Sequence, residues 1–130
     1  MRPEQRDYIE YRLRRAEDAI GEAEVLIKAG YYTTAVSRLY YACFYAVTAL
    51  LHAEGESSAK HTGVIALFDR LWIKTDRLPR EVGRFYHVMF DRRQESDYKE
   101  MVTFEREDVE VWLGEARAFV ARISAWLRDN

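Results

Sequence analysis

Disulfide chemistry within the chain is excluded, because its 130 residues hold one cysteine, Cys43. That residue lies among apolar neighbours in Leu39–Leu51 and reads as a small buried hydrophobe. Proline and glycine are scarce, two and six residues, and no low-complexity tract, internal repeat or long linker is present. The longest uncharged run, Leu39–Ala53 with His52 counted neutral, is too short and too polar for a membrane span of about 20 apolar residues. The amino end, MRPEQRDYIEYRLRR, lacks the apolar run of a secretory leader, so a cytoplasmic protein with no membrane partner is expected. Net charge is only −2, which gives no bulk sign of nucleic-acid affinity. The three histidines, His52, His61 and His87, are too widely spaced for a metal-ligand pair on one helix. No metal is therefore expected. No Walker A, Gly-x-Ser-x-Gly or dinucleotide-binding loop occurs, so no cofactor is expected either.

What is present is apolar content: hydrophobic residues make up 48%. A chain of this length buries roughly two-thirds of its unfolded surface, enough for one core without staples. Residues 1–130 are accordingly expected to form a single domain. Charge is segregated. Lys60–Arg93 holds eight Lys and Arg against four Asp and Glu, whereas Gln94–Glu115 holds eight acids against two bases. Complementary solvated helix faces account for such a pattern.

Periodicity predicts an all-α, antiparallel up-and-down bundle of about five helices. The first runs over Pro3–Ala29 with a stripe of Ile9, Leu13, Ala16, Ile20, Ala23 and Ile27, stopped by Gly30. The second spans about Thr34–Ala53, with Thr33 a candidate cap, and is apolar nearly all round. Such a helix belongs at the centre of a bundle or partly under a second subunit. A third begins near Ser58 and carries Val64, Ile65, Phe68, Leu71 and Trp72. Pro79 opens a fourth, with Val82, Phe85, Tyr86, Met89 and Phe90 inward. The fifth spans about Phe104–Leu127, capped by Thr103, with a stripe of Val109, Trp112, Ala116, Phe119, Val120, Ile123 and Trp126.

One stretch carries a functional signal, DRRQESDY at residues 91–98. With Val82 set to zero and about 100° per residue, Phe85, Tyr86, Met89 and Phe90 fall within roughly 80° of it. Arg93 falls at about 20° and Asp97 at about 60°, inside the apolar face. A charge placed there is costly unless paired, and Asp97 at i+4 is its natural partner. Base before acid is the weaker order for a surface pair, which argues against decoration. Two readings remain open: a helix that ends by residue 92 with a salt-bridged loop, or an arginine held in a cleft by Asp97 and available for phosphate.

Three segments in order, SRLYYACFYAVTALL (Ser37–Leu51), KHTGVIALF (Lys60–Phe68) and Arg93-Gln-Glu-Ser-Asp97-Tyr98, resemble the Arg-x-Tyr-Tyr-Ala helix, the Lys/Ser-His-x-Gly-Val segment and the Arg-x3-Asp-Tyr signature of the HEPN family. With the terminal helices the resemblance covers nearly the whole chain. It implies a homodimeric helical bundle with the signature facing its copy. Many such domains are metal-independent RNases and toxins, often paired with a minimal nucleotidyltransferase that acts as antitoxin. Their active pattern is Arg-x4-His, in which the His handles the 2′-hydroxyl proton and the Arg stabilises phosphate charge. Here Arg93 matches the Arg, and Tyr98 stands where the His would be. A phenol, with a pKa of about 10, is a poor base at neutral pH. Glu100 occupies the position of the tyrosine that some antitoxins modify, so that role does not transfer.

The candidate ligand-binding residues are Arg93, Asp97, Tyr98, Lys60, His61 and Tyr41, of which Arg93, Asp97 and Tyr98 are the catalytic candidates if the protein is an enzyme. His61 and Lys60 read either as a first exposed turn or as phosphate or base contacts near Arg93. Tyr40 and Tyr41 read as packing, with Tyr41 alternatively a base-stacking surface. Arg77, Arg80 and Arg84 read as a solvated face or as a track steering RNA. The leading expectation is a homodimeric module that receives RNA, a nucleotide or a nucleotidyltransferase partner. An active RNase and a purely structural ion pair are the alternatives.

Overall fold

A computed structural model describes residues 1–98 and 100–130. It contains five helices: α1 (Pro3–Ala29), α2 (Tyr32–Ala53), α3 (His61–Phe68), α4 (Arg80–Tyr98) and α5 (Arg106–Asp129). No strand occurs among the described residues. One π-helical turn, Asp69–Ile73, continues α3 and is closed by the Lys74 N–H donating to the Asp69 carbonyl at 2.8 Å.

Two glycines shape the connections. Gly30 adopts φ 85°, and the N–H groups of Gly30 and Tyr31 donate to the carbonyls of Ile27 and Leu26. Gly55, at φ 73°, ends α2 with the same pair of bonds to His52 and Leu51. Both are Schellman closures, and their left-handed backbone suits glycine.

The tight first closure explains a difference from the periodicity. The chain re-enters helix at Tyr32, so the residue before it is Tyr31 and Thr33 is already inside. Likewise α3 starts at His61 rather than Ser58, and α5 at Arg106 rather than Phe104. Neither Thr33 nor Thr103 caps a helix, and Leu113, outside the expected stripe, is buried, whereas Trp112 and Trp126 within it are partly buried against the core.

α2 lies at the centre and touches α1, α3, α4 and α5. Val36, Leu39, Tyr40, Cys43, Val47 and Leu50 on it are fully buried. By length and composition α2 would pass as a membrane span, yet 67% of its most apolar window is buried inside the bundle. Its apolarity is thus accounted for by helix contacts. Phe68, Tyr86 and Phe119 meet with ring centroids 5.6–6.1 Å apart, joining α3, α4 and α5. Burying those aromatic surfaces contributes about 25 cal/mol per Å² and ties α3, α4 and α5 together.

Candidate functional site

The fourth helix continues to Tyr98, so Arg93 and Asp97 lie on one helical face, one turn apart. The alternative of a helix ending by residue 92 is excluded. The Arg93 side chain is 18% exposed and that of Asp97 33%, and Arg93 Nε stands 2.8 Å from Asp97 Oδ2. The Nε proton is not aligned with that oxygen, so this pair is Coulombic and the buried Nε has no hydrogen-bond acceptor. One Nη2 proton is donated to the Tyr41 hydroxyl at 3.2 Å. The guanidinium carbon lies 5.2 Å from the ring centres of both Tyr40 and Tyr41. A guanidinium has five N–H protons, so most of its donors remain free for a ligand.

α3 brings His61 into the same group. Its ring stacks on Phe44 at 4.4 Å and 8°, and meets Tyr41 edge-on at 5.8 Å. Nδ1 lies 2.6 Å from the Tyr40 hydroxyl. Burial, and then the charge of Arg93, push the His61 pKa below its ordinary value. Burial pushes the Tyr40 phenol well above its own. With the imidazole neutral and the phenol protonated, the bond forms in either of two tautomers: when Tyr40 donates to Nδ1, Nε2 carries the proton. The opposite tautomer, with Nδ1–H donating to the Tyr40 oxygen, would expose Nε2 as a base.

Gly63 explains how the His-x-Gly spacing positions His61. A Cβ on Gly63 would come within 2.8 Å of the Ser58 Cβ, so only glycine lets the preceding loop close over the first turn of α3. Ser58 Oγ in turn accepts from the Lys60 N–H at 3.2 Å.

The structure thus assembles Arg93, Asp97, His61 and Tyr41 from α2, α3 and α4. Lys60 is exposed just before α3, with only its backbone engaged among the described contacts. Tyr98 is 78% exposed, and no hydrogen bond joins it to Arg93 or His61 among the described residues. Sequence reasoning missed two members of the group, Phe44 as the stacking partner of His61 and Tyr40 as its hydrogen-bond partner. Tyr40, Tyr41 and Phe44 lie side by side on α2, but the all-round apolarity of that helix hid which face looks at the cleft. The expected arginine row also divides. Arg84 pairs with Glu81 in solvent, whereas Arg77 pairs with Glu54 and lies 5.3 Å over Trp72.

A groove of about 850 Å3 lies on the other side of α4 around the His87–Asp69 pair, which is 2.6 Å apart. Neither Arg93 nor His61 lines it. Among the described residues no group of three or more His, Cys, Asp or Glu side chains is placed to hold a metal ion.

A family model described as the HEPN domain matches residues 9–126. A UPF0332 protein of Thermotoga maritima is 43% identical over 97% of this chain and 96% of its own length. A Methanocaldococcus jannaschii protein named as a candidate toxin is 31% identical over 92% of this chain and 81% of its own length. A UPF0332 protein of Gloeobacter violaceus is 39% identical over 65% of this chain and 64% of its own length.

Proposed function

Because the chain belongs to the HEPN domain family, we propose that it is a toxin-type module that binds RNA through the Arg93 cleft, acts as a homodimer and is held in check by a minimal nucleotidyltransferase. One observation carries this reading: a guanidinium 18% exposed is held on an aromatic floor with most of its donors free, beside a neutral imidazole whose Nδ1 is engaged by Tyr40. An arginine fork matches a phosphate in two hydrogen bonds, and the half-exposed rings of Tyr41 and Phe44 suit an unpaired base. The dimer is supported by large apolar side chains left in water just beyond Arg93, with Tyr98 78% and Met101 98% exposed. Titration of a labelled RNA strand followed by fluorescence anisotropy tests the cleft. Arg93→Gln is expected to weaken binding at least about tenfold, and unchanged affinity would reject the reading. Sedimentation at micromolar concentration tests the dimer, which a monomer would reject.

A second reading, metal-independent RNA cleavage, is favoured by the position of His61. In its base tautomer, His61 Nε2 would take the proton of a 2′-hydroxyl. The 2′ oxygen would bond to phosphorus, and the bond from phosphorus to the 5′ oxygen would break. The leaving oxygen would take a proton from water, while Arg93 stabilised the added phosphate charge. Chelator-resistant cleavage that is lost in both Arg93→Ala and His61→Ala supports this reading. Intact RNA after incubation with the pure protein rejects it.

A further inference from the structure

α1 carries a second set of arginines on the side of the bundle facing Tyr45 of α2. Arg15 lies 4.8 Å over the Tyr45 ring, donates one Nη2 proton to the Tyr45 hydroxyl at 2.9 Å and one Nη1 proton to the Tyr11 hydroxyl at 3.1 Å. Arg12 lies 5.4 Å from the Tyr45 ring and 5.5 Å from that of Tyr8, and its buried Nε has no acceptor. Neither arginine is ion-paired among the described residues. The carboxylate of Glu22 on the same helix is taken by Arg38. Both guanidiniums therefore lie within 5.5 Å of aromatic ring centres with no carboxylate paired to them among the described residues.

The Tyr45 ring is also 5.9 Å from that of Tyr41, the ring beneath Arg93. One aromatic floor, Tyr41 and Tyr45, therefore runs under two cationic stations. Tyr8 and Tyr11, 39% and 42% exposed, flank the second station, and the Tyr8 ring also meets His52 at 4.4 Å. Pre-ordered arginines interleaved with exposed aromatics suit a chain of phosphates whose bases are free to stack.

We propose that Arg12 and Arg15 form a second phosphate-binding station, so that this face takes a single RNA strand several nucleotides long rather than a mononucleotide. The inference rests on the reading of the Arg93 cleft as an RNA site. It is tested by anisotropy titrations with uridine strands of about three and about ten nucleotides, with ATP as competitor, at several salt concentrations. The proteins compared are the wild type, R12Q/R15Q, R12K/R15K and R93Q.

The wild type should prefer the longer strand, and ATP should displace it poorly. R12Q/R15Q should lose about tenfold in affinity for the longer strand only. Its slope of log affinity against log salt should become shallower by about 1.4, the value for two phosphate contacts on a single strand. R12K/R15K keeps the charge and should keep the slope, which separates a lost contact from a damaged fold. If R93Q weakens both strands while R12Q/R15Q binds the longer one like the wild type, the second station is overturned and the Arg93 reading stands. If R93Q leaves both strands unaffected, or the wild type binds neither, the two readings fall together. If R12Q/R15Q dissociates a dimer on sedimentation without changing RNA affinity, the face is a subunit contact and the proposal is wrong.

Discussion

Replacing Arg93 by methionine separates a ligand site from a structural keystone. The side chain makes an ion pair with a partly exposed carboxylate, worth at most about 1 kcal/mol. Its two ring contacts add about 0.5–1 kcal/mol each. The bond to the Tyr41 hydroxyl adds about 1.5 kcal/mol. Against these stands the desolvation of the Nε donor, buried without an acceptor, which costs about 1–3 kcal/mol. Methionine keeps the apolar stem, and Asp97, already 33% exposed, can hydrate when its partner goes. The net loss is about 0–3.5 kcal/mol, a fall of roughly 14 °C or less in Tm for a domain of this size. Urea denaturation with an unchanged m value measures it. A loss of about 5 kcal/mol, the upper end for breaking a fully buried pair, would refute the reasoning and make Arg93 a structural residue.

Three further outcomes follow from the geometry. His61 has its folded pKa held below the ordinary value of about 6.5, by burial first and Arg93 second, so the unfolded chain takes up its proton first. Its contribution to stability is complete above about pH 6.5 and is lost as the pH falls through the folded value. His61→Asn should flatten the acid slope relative to wild type, and Arg93→Met should raise the ring pKa seen by NMR; a slope steeper in the variant would contradict the account. Tyr40→Phe removes the hydrogen-bond partner of His61 Nδ1 and should cost about 1 kcal/mol in urea unfolding while changing the tautomer balance of the imidazole; unchanged imidazole 15N shifts would count against the bond. Gly83→Ala places a Cβ 3.0–3.3 Å from three carbons of Ile73, where α4 packs on the π-helical turn, and should cost about 1–3 kcal/mol; an unaltered midpoint would show that Ile73 moves freely.

The Arg93–Asp97 pair was legible in the sequence because helical phase is local. A rotation of about 100° per residue from Val82 puts both charges inside the apolar face, whatever the rest of the chain does. The approach of His61 could stand only as one of two readings. Its partner Tyr40 is 21 residues away, and their meeting depends on how α3 crosses α2 after the Gly55 closure. Thr33 and Thr103 have good intrinsic capping chemistry. At the first connection, however, the two-residue Schellman turn starts α2 before Thr33 can stand outside it. The π-helical turn at Asp69–Ile73 has no periodic signature, since Leu71 and Trp72 fit an ordinary helix equally well. The Arg12 and Arg15 station escaped notice because the amphipathic stripe of α1 draws attention to its buried side, while the aromatic partner comes from α2.

The central claim is that the Arg93 guanidinium and the His61 ring bind an RNA phosphate together, and Arg93 offers its own reporter. Its Nε–H is buried beside Asp97 and should exchange slowly enough to give a resolved NMR signal. On titration with a short uridine strand, the account predicts that this signal and the His61 imidazole signals shift together and saturate at one strand concentration. Saturable RNA binding that leaves both sets of signals where they were would contradict it.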